Sequence, residues 1–596
     1  MRCYNVNQEQ LGLPKHAYDL AHKNKGIGNN MQYFKLSVFA SLLVATAITT
    51  PAMAAPNSER ETVFLQQNWD DADRDYFYFS DQGSRLIPYD LFLNLEQADN
   101  SELLRDNDNM MSFGLLPVAE SDNNPDALPI GLARNGDHMG ITCAACHTQE
   151  IKYKDQFIRI DGGQSFMDLR LFLSEMTASI DATLNDDQKL ARLQTKLLGD
   201  NASQEKIDDL KAALATQFEK RMNYATVNHT NTPYGFSRLD AFGAILNKTL
   251  SATQVPNNFN EPNAATSFPY IWDTPQHDYV EWNGSQSNTG VGALARNIGE
   301  AIGVFGEIET ETTKWLGFID GGYPSSIQAD TLRGLEKVTA KLHSPLWPEQ
   351  FPAVDEQLTK VGRGLYEQHC IQCHVDMDRT DPLRKIQVRM STLGEIKTDP
   401  LMAENAIGHR GKSGIFKDRK QFYFAGPELG EENRAIYIAN NLMIGVLKNN
   451  PLQAQLAKRD AKALGHADVI HPPKYVDGEI IEHGQEVSDH ALLAYKARPL
   501  NGVWSSAPYL HNGSVVDMYQ LLLPAAERDT EFYLGSWDYD PKTLGYVNEA
   551  SEGSFLFDTS LPGNSNAGHE YGSGAYGLPA LTEDERWALV EYLKTL

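Results

Sequence analysis

Two pentapeptides constrain this chain more than any other feature: Cys143-Ala144-Ala145-Cys146-His147 and Cys370-Ile371-Gln372-Cys373-His374. Both have the form C-x-x-C-H, the attachment motif of c-type haem. The spacing has a chemical reason. Two thiols about one helical turn apart reach the two vinyl groups of the porphyrin, and the adjacent histidine turns under the ring to ligate iron. Of the 5 cysteines in the sequence, Cys3 alone lies outside the two motifs. Redox dithiols would not both be followed by histidine, and a zinc ribbon would place its two C-x-x-C units close together, which these are not. The residues therefore read as sites for two covalently bound haem c groups, each with its iron.

Haem c is attached outside the cytoplasm, so a chain carrying it needs an export signal. Residues 1–30 are polar, but Met31 opens a second pattern: Lys35, a largely apolar run over 36–48, then Ala52-Met53-Ala54. This resembles a secretory signal peptide, with an apolar run too short to span a bilayer. The expectation is translation from Met31, cleavage after Ala54 and a periplasmic or secreted protein; an uncleaved anchor is the competing reading. Nothing after residue 54 reads as membrane-spanning. With 52 basic against 79 acidic side chains, a net charge of -27, the chain is no nucleic-acid binder, and its partners should be neutral, apolar or cationic.

The length of 596 residues exceeds one ordinary domain. The fold class expected is mainly α: two cytochrome c-like haem domains with long loop-rich insertions and little β structure. After the 1–54 leader, the division is 55–350 for the N-terminal haem c domain, with the reactive haem, and 351–596 for the C-terminal cytochrome c domain, with the electron-transfer haem. In the second, residues 355–369 place Leu358, Val361 and Leu365 at helical spacing, and Gly362 and Gly364 would let another helix approach closely. At the C-terminus Thr582 and Glu585 form a capping box ahead of Trp587, Leu589, Val590, Tyr592 and Leu593. First and last helices cross in cytochrome c folds. Around the first motif the sequence predicts helices over 165–182 and 186–222, and ordered loops over 252–300, either a surface connection or a substrate and interhaem region.

The two motifs, Gly362-x-Gly364-Leu365-Tyr366 and the run Ala507-Pro508-Tyr509-Leu510-His511-Asn512-Gly513-Ser514 together resemble the bacterial di-haem cytochrome c peroxidase superfamily. The length, Ala144-Ala145 inside the first motif, residues 238–243 (Arg-Leu-Asp-Ala-Phe-Gly) and Gly568-His569-Glu570-Tyr571-Gly572 are more similar to its branch of di-haem rubber oxygenases and di-haem fatty-acid dioxygenases. That resemblance implies an N-terminal haem on His147 that binds O2 or peroxide at an open position. It also implies a C-terminal haem on His374 closed by a second protein ligand, matched by His569. Met390, Met402, Met443 and Met518 are rival ligands, and His511 reads as a hydrogen-bond partner of haem or propionate. The family places aromatics in the distal pocket and between the rings; Phe242, Trp272, Trp282 and Phe305 are the candidates here. A bound calcium ion stays open.

Three functions follow. The first is a dioxygenase adding O2 to an unsaturated fatty acid or similar hydrocarbon, favoured by a pocket without general acids. The second is a peroxidase reducing H2O2 with electrons from a small donor cytochrome, which requires a carboxylate or glutamine such as Glu281 or Glu300 beside the first haem. The third is a di-haem electron carrier, which requires both irons to be six-coordinate.

Overall fold

The computed structural model describes residues 61–466, 474–477, 479–481 and 489–596. The candidate leader at 31–54 lies outside them. Helix makes up 38% and strand 17% of the structure, so the mainly-α expectation holds in outline, while the strand content, spread over small sheets, exceeds the little expected. No described helix is long and apolar enough to cross a membrane.

The chain opens with β1 (Thr62–Phe64) and α1 (Asp71–Phe79), capped by Asp70. Past several short elements come β2 (Thr148–Tyr153) and β3 (Gln156–Asp161). β3 buries Ile158 and Ile160 on one face and, on the other, Arg159 and Asp161, which pair with Glu150 and Arg74; it is the middle strand, parallel to β1 and antiparallel to β2. Because β2 begins directly after His147, this sheet fixes how the chain leaves the first motif. Three helices follow: α2 (Leu169–Asn185), α3 (Asp187–Leu198) and α4 (Gln204–Val227). The helix expected over 186–222 is therefore two, interrupted at 199–203, where Ser203 caps the second by accepting from Lys206 N.

Beyond them lie α5 (Ala241–Ser251) and α6 (Gly292–Gly303). The second of these falls at the end of the stretch read as loop. Its glycine-rich sequence has little intrinsic helix propensity, and its stability comes from burying Leu294, Ile298 and Ile302.

The second motif ends α7 (Glu356–His369). Here the expected apolar face holds only at Leu365, which packs half-buried against the main core: Leu358 and Val361 are exposed, at 39% and 53%, and the buried positions are Gly362, Tyr366 and His369. A Cβ on Gly362 would lie 2.0 Å from the carbonyl oxygen of Ala588, so this glycine permits the helix crossing, whereas Gly364 faces open space. Downstream, β4 (Arg389–Thr392) precedes α8 (Ala435–Asn449), and β5 (Lys474–Val476), β6 (Glu479–Ile481) and β7 (Ala494–Ala497) complete a four-stranded sheet ordered β6-β5-β4-β7. The closing helix, α9 (Glu583–Leu593), has the expected Thr582–Glu585 capping box and packs on α7. Trp587 is half-buried on it and stacks on Tyr519.

One apolar core runs from Leu65 to Leu596 and takes side chains from both halves of the sequence, Trp272, Tyr366 and Trp504 among them. A second lies within the first half, between Leu86 and Phe305.

Candidate functional site

In the first motif Cys143–Ala145 forms a single 3-10 turn, and His147 N donates to Cys143 O at 3.0 Å. Both cysteines and the histidine thus share one turn and one cavity, of about 270 Å³. The thiols form no disulfide; burial pushes Cys143 upward and Cys146 up to about 12, so both stay protonated. His147 Nδ1 lies 2.8 Å from Pro269 O, which leaves Nε2 free to ligate a metal, and burial holds the ring neutral with a pKa pushed down to about 4.

The second motif repeats this arrangement. Cys373 N and His374 N both donate to Cys370 O, and the cysteines and histidine line a cavity of about 190 Å³. His374 Nδ1 lies 2.6 Å from Arg498 O. Across the cavity stands His569, its ring centre 6.2 Å from that of His374 with the planes at 60°. The two imidazoles face each other across the cavity as a pair that could hold one metal between them. His569 is held there by its backbone: its N donates to Ile396 O at 2.9 Å, its φ is +52°, and Gly568 before it has φ +75° with no room for a Cβ, which would lie 2.3 Å from Lys397 C. Burial, and then the neighbouring His374, pushes His569 down to about 3.

The rest of the first cavity is built differently. Phe242 and Ile245 of α5, Gly299 of α6 and Ile436, Ala439 and Met443 of α8 give it apolar walls, and among the described residues no second histidine lines it. Glu281 and Glu300 also line it. Burial, reinforced by the charge and hydrogen bond of Glu281, pushes Glu300 up to about 8, against the pull of Arg296, whose Nε lies 3.6 Å away. Glu281 has φ +67°, a strained conformation for a non-glycine residue at a functional wall. The cavity therefore contains acids, contrary to the acid-free pocket expected of a dioxygenase.

Four residues line both cavities: Pro269, Trp282, Lys496 and Arg498. Of the aromatic candidates, Phe242, Trp282 and Phe305 line the first cavity, Phe305 with φ +64°. Trp272 lines neither; fully buried, it stacks on Tyr270 and donates to Asn501 O at 2.8 Å. Met402 and Met443 line the first cavity and Met518 the second, whereas Met390 packs in β4. His511 lines the second, stacked on Tyr495 at 4.0 Å. The sequence reading missed His369, whose buried Nε2 has no partner, and the cations Lys496 and Arg498. Arg498 is buried and Lys496 half-buried, and both line the wall between the cavities without a carboxylate in ion-pair contact among the described residues. The free cysteine pairs, the histidines with Nδ1 engaged and these unneutralised cations, which suit the carboxylates of a porphyrin, all fit haem c. Among the described residues no cluster of three or more His, Cys, Asp or Glu side chains could hold a separate metal ion such as calcium.

Residues 494–533, which carry Lys496, Arg498, Tyr509, His511 and Met518 of the second cavity, match the family model described as RoxA-like, cytochrome c-like. A cytochrome c-like domain implies covalently bound haem c, and its likeness to the RoxA model suggests a haem oxidoreductase. The chain belongs to the family of the uncharacterised protein y4iJ of Sinorhizobium fredii (strain NBRC 101917 / NGR234), with which it is 30% identical over 602 residues, covering 90% of this chain and 93% of that protein. It is also similar to the uncharacterised protein y4iM of the same strain, 24% identical over 391 residues, 61% of this chain and 72% of that one.

Proposed function

We propose that the protein binds two haem c groups and adds O2 to an unsaturated, apolar chain in the first cavity. The observation that carries this reading is the contrast opposite the two motif histidines. His374 faces His569, whereas His147 shares its cavity with the apolar surfaces of three helices and with no second histidine among the described residues. Haem c on His147 would supply an iron able to bind and activate O2. The chain's own residues supply the rest. Pro269 O fixes the His147 tautomer so that Nε2 points to the cavity. Phe242, Ile245 and Met443 offer a hydrocarbon-binding surface that excludes water. His374 and His569 hold the second site closed for electron transfer, with Trp282 in the wall between. The test is an oxygen electrode with oleate and other unsaturated lipids, no peroxide added. Uptake matched by a product carrying two added oxygen atoms is expected; no uptake across the panel contradicts the reading.

Glu281 and Glu300 support a second reading, reduction of H2O2 with electrons from a small donor cytochrome. A carboxylic acid that keeps its proton to about pH 8 can protonate the leaving oxygen and assist O–O cleavage. Peroxide-dependent oxidation of a reduced small cytochrome, lost in Glu300→Gln, supports this alternative; its absence removes it.

A further inference from the structure

We propose that Arg498 is a positioning residue shared by the two metal sites, whose charge raises the reduction potentials of both irons together. The inference rests on the di-haem reading above. Arg498 follows β7, is 5% exposed and lines both cavities. Its carbonyl accepts the Nδ1 proton of His374 at 2.6 Å. Its guanidinium donates to Tyr270 O and lies 3.7 Å from the Tyr270 ring centre. Tyr270 directly follows Pro269, whose carbonyl accepts the Nδ1 proton of His147 at 2.8 Å. One side chain and its own backbone thus reach the hydrogen bonds that orient both ligating histidines.

Among the described residues no carboxylate is in ion-pair contact with this guanidinium; Asp273 and Glu281 act on it only from a greater distance. Its Nε has no partner, and the nearby Asp273 is taken by Arg384 at 2.7 Å. In a water-excluded wall a cation is felt over a longer range than at the surface. Each iron gains one electron on reduction and loses one positive charge, with no other atom transferred. A fixed cation therefore favours the reduced form at both sites. Lys496, two residues earlier and half-buried in the shared wall, reaches neither histidine's hydrogen bond, and desolvation followed by the neighbouring Arg498 pushes its ammonium well down toward the neutral form; an acceptor for its Nζ is Tyr279 O, at 3.5 Å.

The test is spectroelectrochemical titration of the full-length holoprotein, with haem counted by pyridine haemochrome. In Arg498→Gln, which keeps a donor for Tyr270 O but loses the charge, both midpoint potentials should fall together. In Arg498→Lys both should stay near the wild-type values. In Lys496→Met both potentials should move less than in Arg498→Gln, with the electron paramagnetic resonance signature of the axial histidines unchanged; in Arg498→Met that signature should change at the His147 site, where the side chain holds Tyr270 O, and stay unchanged at His374, whose partner is the backbone carbonyl that methionine keeps. Potentials unmoved in Arg498→Gln, or a shift at one iron alone, would overturn the inference and leave the di-haem reading standing. A wild-type count of fewer than two haems would overturn both.

Discussion

Around His147 and around His374 the chain uses the same local solution. A cysteine begins a tight turn, the histidine four residues on donates its backbone N–H to that cysteine's carbonyl, and Nδ1 is tied to a carbonyl from a distant segment, Pro269 in one case and Arg498 in the other. Opposite the histidines the two sites diverge. The second is faced by His569 on a loop whose strained backbone admits only glycine at 568; the first opens into apolar helices with a carboxylic pair at its wall. The attaching half of each site is written in five consecutive residues, whereas the half that decides reactivity is assembled from far along the sequence. On the proposed function, the same motif would serve two different chemistries within one chain.

The strongest way to break this comparison is to remove one site at a time. Cys143→Ala with Cys146→Ala should halve the haem count and abolish oxygen-dependent turnover, read by haemochrome and oxygen electrode; retained turnover would mean that the reactive site is the other one. Next in size, His569→Ala should convert the second haem from six- to five-coordinate and make it bind CO, with the spectrum of the first unchanged. An unaltered spectrum would refute the ligand role.

A smaller effect separates the two oxidants. Burial raises Glu300, so it is protonated below about pH 8 and loses its proton above. Acid-assisted peroxide turnover should fall as the pH rises through 8 and be absent in Glu300→Gln, whereas oxygen addition to a lipid should change little in either. The smallest effect concerns the helix crossing that belongs to the second site alone. Gly364→Ala, in open space within a helix, should stabilise by about 0.5–1 kcal/mol. Gly362→Ala should lower the melting temperature and perturb the second haem's spectrum first, because its Cβ would meet the Ala588 backbone.

What could be read from the sequence follows the same division. The motifs, the Thr582–Glu585 capping box and the helix before Cys370 are local patterns, and the structure contains them. The buried face of α7 departs from its apolar pattern because Leu358 and Val361 dominate that pattern, while the crossing selects the smallest side chain, Gly362, together with Tyr366 and His369. α6 was unreadable because its helicity depends on packing and its glycines argue against it. Lys496 and Arg498 alternate in and just after a short strand, as surface residues commonly do; only the tertiary fold turns them into the shared wall of two cavities. Of the two tryptophans near residue 280, periodicity could not choose; Trp282 lines both cavities and Trp272 neither.

The most direct measurement is a CO titration of the fully reduced holoprotein, followed spectroscopically and referred to its haem count. An open first site and a second closed by His569 require one CO bound for every two haems. Binding at neither haem, or at both with equal ease, would contradict the asymmetry between them.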